Sequence, residues 1–137
     1  MMAGERDIRS PFSALIGAAL EERKEGYARL SLAIGPQHTN PHGVMHGGVV
    51  TTLMDSSLGA ALSSLRGDDA RKRPHATIEM NTSFLSSARP GDEIVVEGRV
   101  VKLRRTVAFG EAEARRRSDN EIIARGRFTF AIQSNDS

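Results

Sequence analysis

Apolar and small residues recur at three- and four-residue steps between Gly47 and Leu65, through Val49, Val50, Leu53, Met54, Ser57, Leu58, Ala61, Leu62 and Leu65. That period predicts a long helix, ending near Arg66-Gly67, where glycine is a common stop signal. Its other positions are Gly, Ala, Ser and Thr, so strands can pack closely around most of its circumference. Elsewhere the period shortens to two. Tyr27 to Ile34 alternates, with Ala28, Leu30, Leu32 and Ile34 on one face. Ala76 to Leu85 alternates again, setting Ala76, Ile78, Met80, Thr82 and Phe84 against Thr77, Glu79, Asn81 and Ser83. Three further strands are expected at 93–103, 107–116 and 122–132. Their short connections imply an antiparallel meander. Ser10-Pro11 reads as an N-cap followed by proline at the first helical position, opening a short amphipathic helix over 10–21 with Gly26 as the break. Asp68 to Pro74 reads as a polar, mobile connection. The order helix, strand, long helix, four strands gives an α+β domain in which a curved antiparallel sheet wraps a long central helix.

The chain has 137 residues, enough for one core, and no cysteine, so disulfides and thiolate metal sites are excluded. We read 1–137 as a single domain, with 1–24 an N-terminal extension carrying the short helix and 133–137 a frayed tail. The first ten residues are charged and polar, without the basic-then-apolar order of an export signal, and a cytoplasmic location is expected. The glycines, serines, threonines and central acid of the 47–65 run argue against a membrane span. A net charge of +2, with six aromatic residues (five Phe, one Tyr), is no nucleic-acid footprint. The arginine runs at 71–73, 104–105 and 115–117 are read mostly as solvated surface.

Against this background Asp55 stands out, as the one charged side chain between Gly47 and Leu65. A carboxylate in apolar surroundings must be paired, hydrogen-bonded or protonated, and such groups are enriched at functional sites. The alternative is a structural acid bonded to a neighbouring hydroxyl. The helix start, His46-Gly47-Gly48, presents unscreened amides at the positive end of the dipole, suited to an anion or a polarised carbonyl oxygen. Gly47 and Asp55 lie roughly 12 Å apart along the axis, so one small reacting group cannot touch both within one helix. A two-fold dimer would bring the tip of one helix to the Asp55 of another and make two composite sites. His38, His42 and His46 share a four-residue spacing, but Pro41 and Gly43 interrupt any helix between them and no metal site is expected. Ser56 and Ser57 lack a nucleophile elbow. Asn40 before Pro41 has an ordinary reading as a turn residue, and Thr77 as a plain strand threonine.

The segment HGGVVTTLMD, with Asn40 six residues before the histidine, resembles the hotdog-fold acyl-CoA thioesterases of the PaaI type. The likeness runs on through TIEMN, ARPGD and the final strands, covering about residues 27 to 132. It implies a central helix wrapped by a curved sheet, a homodimer with active sites at the interface, and in many relatives a further pairing into tetramers. The catalytic acid would fall on Asp55 and the oxyanion amide on Gly47. His46, Asn40 and Thr77 match further site positions, Thr77 where relatives carry a water-positioning Ser or Thr. Gly48 and Met54 are expected to line the substrate site. Arg89, Arg104 and Arg105 are candidates for the CoA phosphates. The expected reaction is hydrolysis of an acyl-CoA to a carboxylic acid and CoA, with no separate cofactor, since CoA belongs to the substrate. A non-catalytic acyl-CoA binder and an enoyl-CoA hydratase or dehydratase on the same fold are the rival readings.

Overall fold

The computed structural model describes residues 10–134; the polar start at 1–9 and the last residues of the expected frayed tail, 135–137, lie outside them. Helix α1 (Pro11–Ile16) begins as expected, with the Ser10 hydroxyl accepting the Ser13 N–H at 3.0 Å. It is shorter than the predicted 10–21 helix. Gly17 adopts φ 87°, and the N–H groups of Gly17 and Ala18 both reach the Ser13 carbonyl, which closes the helix. The chain then enters a strand, β1 (Ala19–Lys24), hydrogen-bonded to β2 (Tyr27–Ala33). Beyond it come the long helix α2 (Gly47–Arg66), a short helix α3 (Asp69–Lys72), and strands β3 (His75–Phe84), β4 (Glu93–Leu103), β5 (Val107–Arg116) and β6 (Ile122–Ile132). All pairings are antiparallel, in a six-stranded sheet ordered β1-β2-β4-β5-β6-β3. The fold is the expected hotdog: one long helix held by a curved sheet, preceded by a short helix.

A row of small residues seats the helix. Ala28, Gly98, Ala112, Gly126 and Thr82 are consecutive cross-strand partners on β2, β4, β5, β6 and β3. A Cβ on Gly98 would lie 2.6 Å from Ser57 Oγ and 3.0 Å from the Leu58 amide, and one on Gly126 would lie 2.9 Å from Met54 Cε. The sheet therefore meets α2 at backbone distance along this row. On either side larger groups fill the core: Leu32, Ile94 and Val96 toward one end, Phe128, Phe130 and Ile132 toward the other, against Val50, Leu53, Leu58 and Leu62 of the helix.

Strand β3 departs from simple alternation. Thr77 pairs with Phe130 and Glu79 with Thr129, leaving Ile78 as an extra, exposed residue in a bulge. A one-residue insertion exchanges the two faces of a strand. Thr77 thus faces α2 ahead of the bulge, while Thr82 and Phe84 face it afterwards, against Gly126 and Gly47. The expected single face Ala76-Ile78-Met80-Thr82-Phe84 is split.

The connection after α2 is also more built than expected. Arg66 and Arg73 are both buried. The Arg66 guanidinium donates to the carbonyls of Arg73 and Asp69, and Arg73 pairs with Asp69 at 3.0 Å. Arg73 is therefore a structural residue of the turn rather than part of a solvated run.

Candidate active site

The tip of α2 is set by the loop before it. Asn40 Oδ1 accepts the His42 N–H at 2.9 Å and faces the Val44 N–H at 3.4 Å, an Asx turn that folds the Pro41-Gly43 segment back on itself. The Met45 N–H bonds the Ala88 carbonyl and the His46 N–H bonds the His38 carbonyl, both at 2.8 Å, which fixes the entry to the helix. His46 is the N-cap: its Nδ1 accepts the Gly48 N–H at 2.8 Å. His38 is held at both ring nitrogens, Nδ1 accepting from the Gly35 amide and Nε2 bonded to the Ile16 carbonyl. The three histidines therefore do not converge, and among the described residues no cluster of His, Asp and Glu could hold a metal ion. The Gly48 amide is spent on its own cap. Gly47 keeps an N–H with no acceptor among the described residues, beside the half-exposed ring of Phe84, which would lie 3.2 Å from a Cβ at that position.

Two turns into α2, Asp55 is half-buried on the helix face turned toward β3. Thr77 Oγ1 donates to Asp55 Oδ1 at 2.6 Å, a short charge-assisted bond that leaves Oδ2 without a partner among the described residues. Both residues open on a cleft of about 340 Å³, walled by Ser56, Gly59, His75 and Phe130 and reaching Ser10 and Ser13 beside α1. Burial, with the positive field of Arg66, holds the His75 imidazole below its usual pKa, while Asp55 pulls weakly the other way. A larger concavity, about 570 Å³, lies among charged residues on the opposite face of the sheet, including Arg99, Glu111 and Arg127.

Of the expected site residues, the structure brings Asp55 and Thr77 into direct contact and sets His46, Gly47 and Gly48 at the helix tip, with Asn40 in the loop that leads to it. Within one chain the two groups remain separated by the length of helix between them. Met54 is not a cleft residue: it is fully buried in the core, against the small row of the sheet. Helical periodicity already placed it with the core residues, one position off the Asp55 face. Arg89 sits in the turn before β4, and Arg104 and Arg105 in the β4–β5 hairpin. All three are exposed, and none lines the cleft. Sequence reading missed His75, Gly59 and Phe130. The available signals were spacing alone: Gly59 is one helical turn from Asp55, and His75 is two residues from Thr77 on a strand.

Residues 42–123 match the thioesterase superfamily. Mouse acyl-coenzyme A thioesterase 13 is 34% identical over 98 residues, covering 72% of this chain and 67% of its own. Zebrafish thioesterase superfamily member 2 superposes with a TM-score of 0.81 at 27% identity, over 93% of this chain and 91% of its own. The Escherichia coli PaaI protein of the phenylacetic acid degradation operon superposes with a TM-score of 0.85 at 17% identity, over 96% and 91%, a likeness of fold. The match through the helix tip, the acid and part of the sheet, together with these relatives, places the chain in the thioesterase superfamily as a thioester hydrolase with the hotdog fold.

Proposed function

We propose that this chain hydrolyses acyl-CoA thioesters to a carboxylic acid and free CoA, at a site made by Asp55 of one copy and the Gly47 amide of a second. The observation that carries the reading is the Asp55–Thr77 pair in an open cleft: a carboxylate oriented by one oxygen, with the other oxygen available. Asp55 takes a proton from water as the water oxygen attacks the thioester carbon, or attacks that carbon itself to form an anhydride that water then opens. The C–S bond breaks and the departing thiolate receives a proton. Charge developing on the carbonyl oxygen is met by the Gly47 N–H at the positive end of α2. Single turnover in ¹⁸O water bears on the two routes: label in Asp55 requires an anhydride opened at the Asp55 carbonyl, whereas label in the carboxylic acid alone marks attack of water on the acyl carbon.

Distance supports a second copy, because the tip of α2 and its acid are about 12 Å apart along the axis and one thioester cannot meet both within a single chain. Support comes from β3, an edge strand whose Ile78, Met80 and Phe84 are exposed in the single chain. Unpaired, apolar sheet edges are covered in stable proteins. Pairing β3 with its own copy makes a homodimer, and pairing of dimers makes a tetramer; light scattering measures both. Exposed Arg89, Arg104 and Arg105 have no ion pair among the described residues and are proposed to meet the CoA phosphates. Reversing the charge at Arg104 and Arg105 then raises KM for acyl-CoA with kcat preserved; an unchanged KM removes them. The activity itself is tested by thiol release from a panel of acyl-CoAs with the wild type and D55N. Turnover that survives D55N overturns the reading, and hydration of an enoyl-CoA in its place favours the hydratase alternative.

A further inference from the structure

Strand β3 and helix α2 run past one another with nearly matched steps: two strand residues advance about 6.7 Å and one helical turn about 5.4 Å. Where Thr77 meets Asp55, His75 consequently falls opposite Gly59, the residue one turn further along α2. The His75 Nε2 would stand 3.6 Å from a Cβ on Gly59, and on its other side the ring meets Phe130 edge to face, with centroids 5.4 Å apart and planes at 86°. The imidazole thus turns its Nε2 edge toward the space left by the missing side chain of Gly59 and packs against the Phe130 ring.

What distinguishes this histidine from His38 and His46 is that its ring nitrogens are uncommitted. His38 is bonded at both nitrogens and His46 caps the helix, whereas the His75 ring has no hydrogen-bond partner among the described residues. The hydroxyls of Ser56 and Ser63, on the same stretch of cleft wall, are likewise unbonded among those residues. A half-buried imidazole with nothing to pair with is costly unless water or a ligand completes it. Because burial and Arg66 keep the ring uncharged near neutral pH, it offers one N–H donor and one bare acceptor nitrogen.

We propose that His75 is a specificity-determining residue, hydrogen-bonding a hydroxyl or oxo group on the acyl portion of the substrate about one helical turn beyond the thioester carbon. This rests on Asp55 marking the reaction centre. An acyl group lying along α2 places its carbonyl carbon at Asp55 and an atom some 5–6 Å further on at His75. A terminal hydroxyl on a five-carbon chain, or a para hydroxyl on a benzoyl ring, spans that distance.

The test compares two matched pairs, pentanoyl-CoA with 5-hydroxypentanoyl-CoA and benzoyl-CoA with 4-hydroxybenzoyl-CoA, in the wild type, H75L, H75Q and D55N. One net hydrogen bond predicts that wild-type kcat/KM favours the hydroxylated member of at least one pair by roughly tenfold. H75L brings that ratio near one, chiefly by slowing the hydroxylated substrate, and H75Q, which keeps a donor and an acceptor, retains most of the preference. Equal wild-type rates within both pairs, or a preference that survives H75L, overturns the assignment of His75. Should H75L not fold, H75F, which keeps a ring against Phe130, takes its place. If D55N hydrolyses all four substrates as the wild type does, the reaction centre itself is misplaced, an outcome distinct from a failed His75.

Discussion

Thr77 Oγ1 lies 2.6 Å from Asp55 Oδ1, joining the bulged edge strand to the central helix at its one acid. The bond exists because Ile78 is an inserted residue: without it, the register that seats Thr82 over Gly126 would turn Thr77 to the far side of the sheet. The bulge is therefore what lets one strand serve both the core and the cleft.

If Thr77 orients Asp55, removing its hydroxyl lowers turnover without greatly altering binding. A hydrogen bond to a charged group contributes about 1.5–3 kcal/mol, so T77V is expected to lose roughly ten- to a hundredfold in kcat with KM nearly unchanged. T77S, which keeps the donor, stays within a few fold of wild type. Steady-state kinetics on any acyl-CoA that is turned over checks this, and equal effects of T77V and T77S would assign Thr77 to packing alone.

The small row beneath α2 makes a separate prediction about stability. At Gly98 a Cβ meets Ser57 Oγ at 2.6 Å and backbone atoms of Ser57 and Leu58 at 3.0 Å, so the helix itself must move. Overpacking of this kind costs about 1–3 kcal/mol, and G98A should lower the melting temperature by several degrees. An unchanged melting temperature would show that the helix is not seated at backbone distance on that row.

The depressed pKa of His75 carries a pH dependence whose sign is fixed. The unfolded chain binds a proton at the usual pKa near 6.5, and the folded chain binds it only at lower pH. Stability from keeping the ring uncharged is fully present above about pH 6.5 and is lost as pH falls below it toward the folded value. Urea unfolding of wild type and H75Q between pH 7.5 and 5 should show the wild type losing stability more steeply below pH 6.5. Parallel curves would place the imidazole in solvent.

Much of this architecture was legible in the chain. Strands β4, β5 and β6 and helix α2 follow periodic patterns long enough to fix their limits, and Asp55 announces itself by being alone. Strand β1 did not, because Ala19–Lys24 is mostly Glu, Arg and Lys: an edge strand is held by backbone bonds and salt bridges such as Arg29–Glu21, which leave no hydrophobic alternation. Helix α1 stops at Gly17 although Phe12, Leu15, Ile16 and Ala19 keep a helical apolar spacing across it, so periodicity alone overruns the end. The bulge at Ile78 was not readable, since an inserted isoleucine continues the very alternation that it breaks in space. Arg73 looked like surface because burial of a guanidinium depends on carbonyls and an acid brought near by the fold, here the Arg66 and Asp69 pairings. Resemblance to a family picks out Thr77 as a water-positioning residue, but nothing in the chain signals its bond to Asp55, 22 residues away.

The central claim is that the acid of one copy works with the helix tip of another, and mixed dimers test it. D55N removes the acid. G47P removes the tip amide: proline suits the first helical position, His46 before it already has the extended conformation, φ −65° and ψ 135°, that a following proline requires, and the exposed Phe84 ring, 3.2 Å from a Cβ there, needs only a small shift to admit it. Each variant alone should be inactive. Unfolded together in equal amounts and refolded, half of the dimers pair D55N with G47P, and each of these carries one intact site. The account predicts recovery of about a quarter of wild-type turnover from two inactive proteins. No recovery from a mixture shown to contain the mixed dimer, or substantial activity in either variant alone, would contradict it.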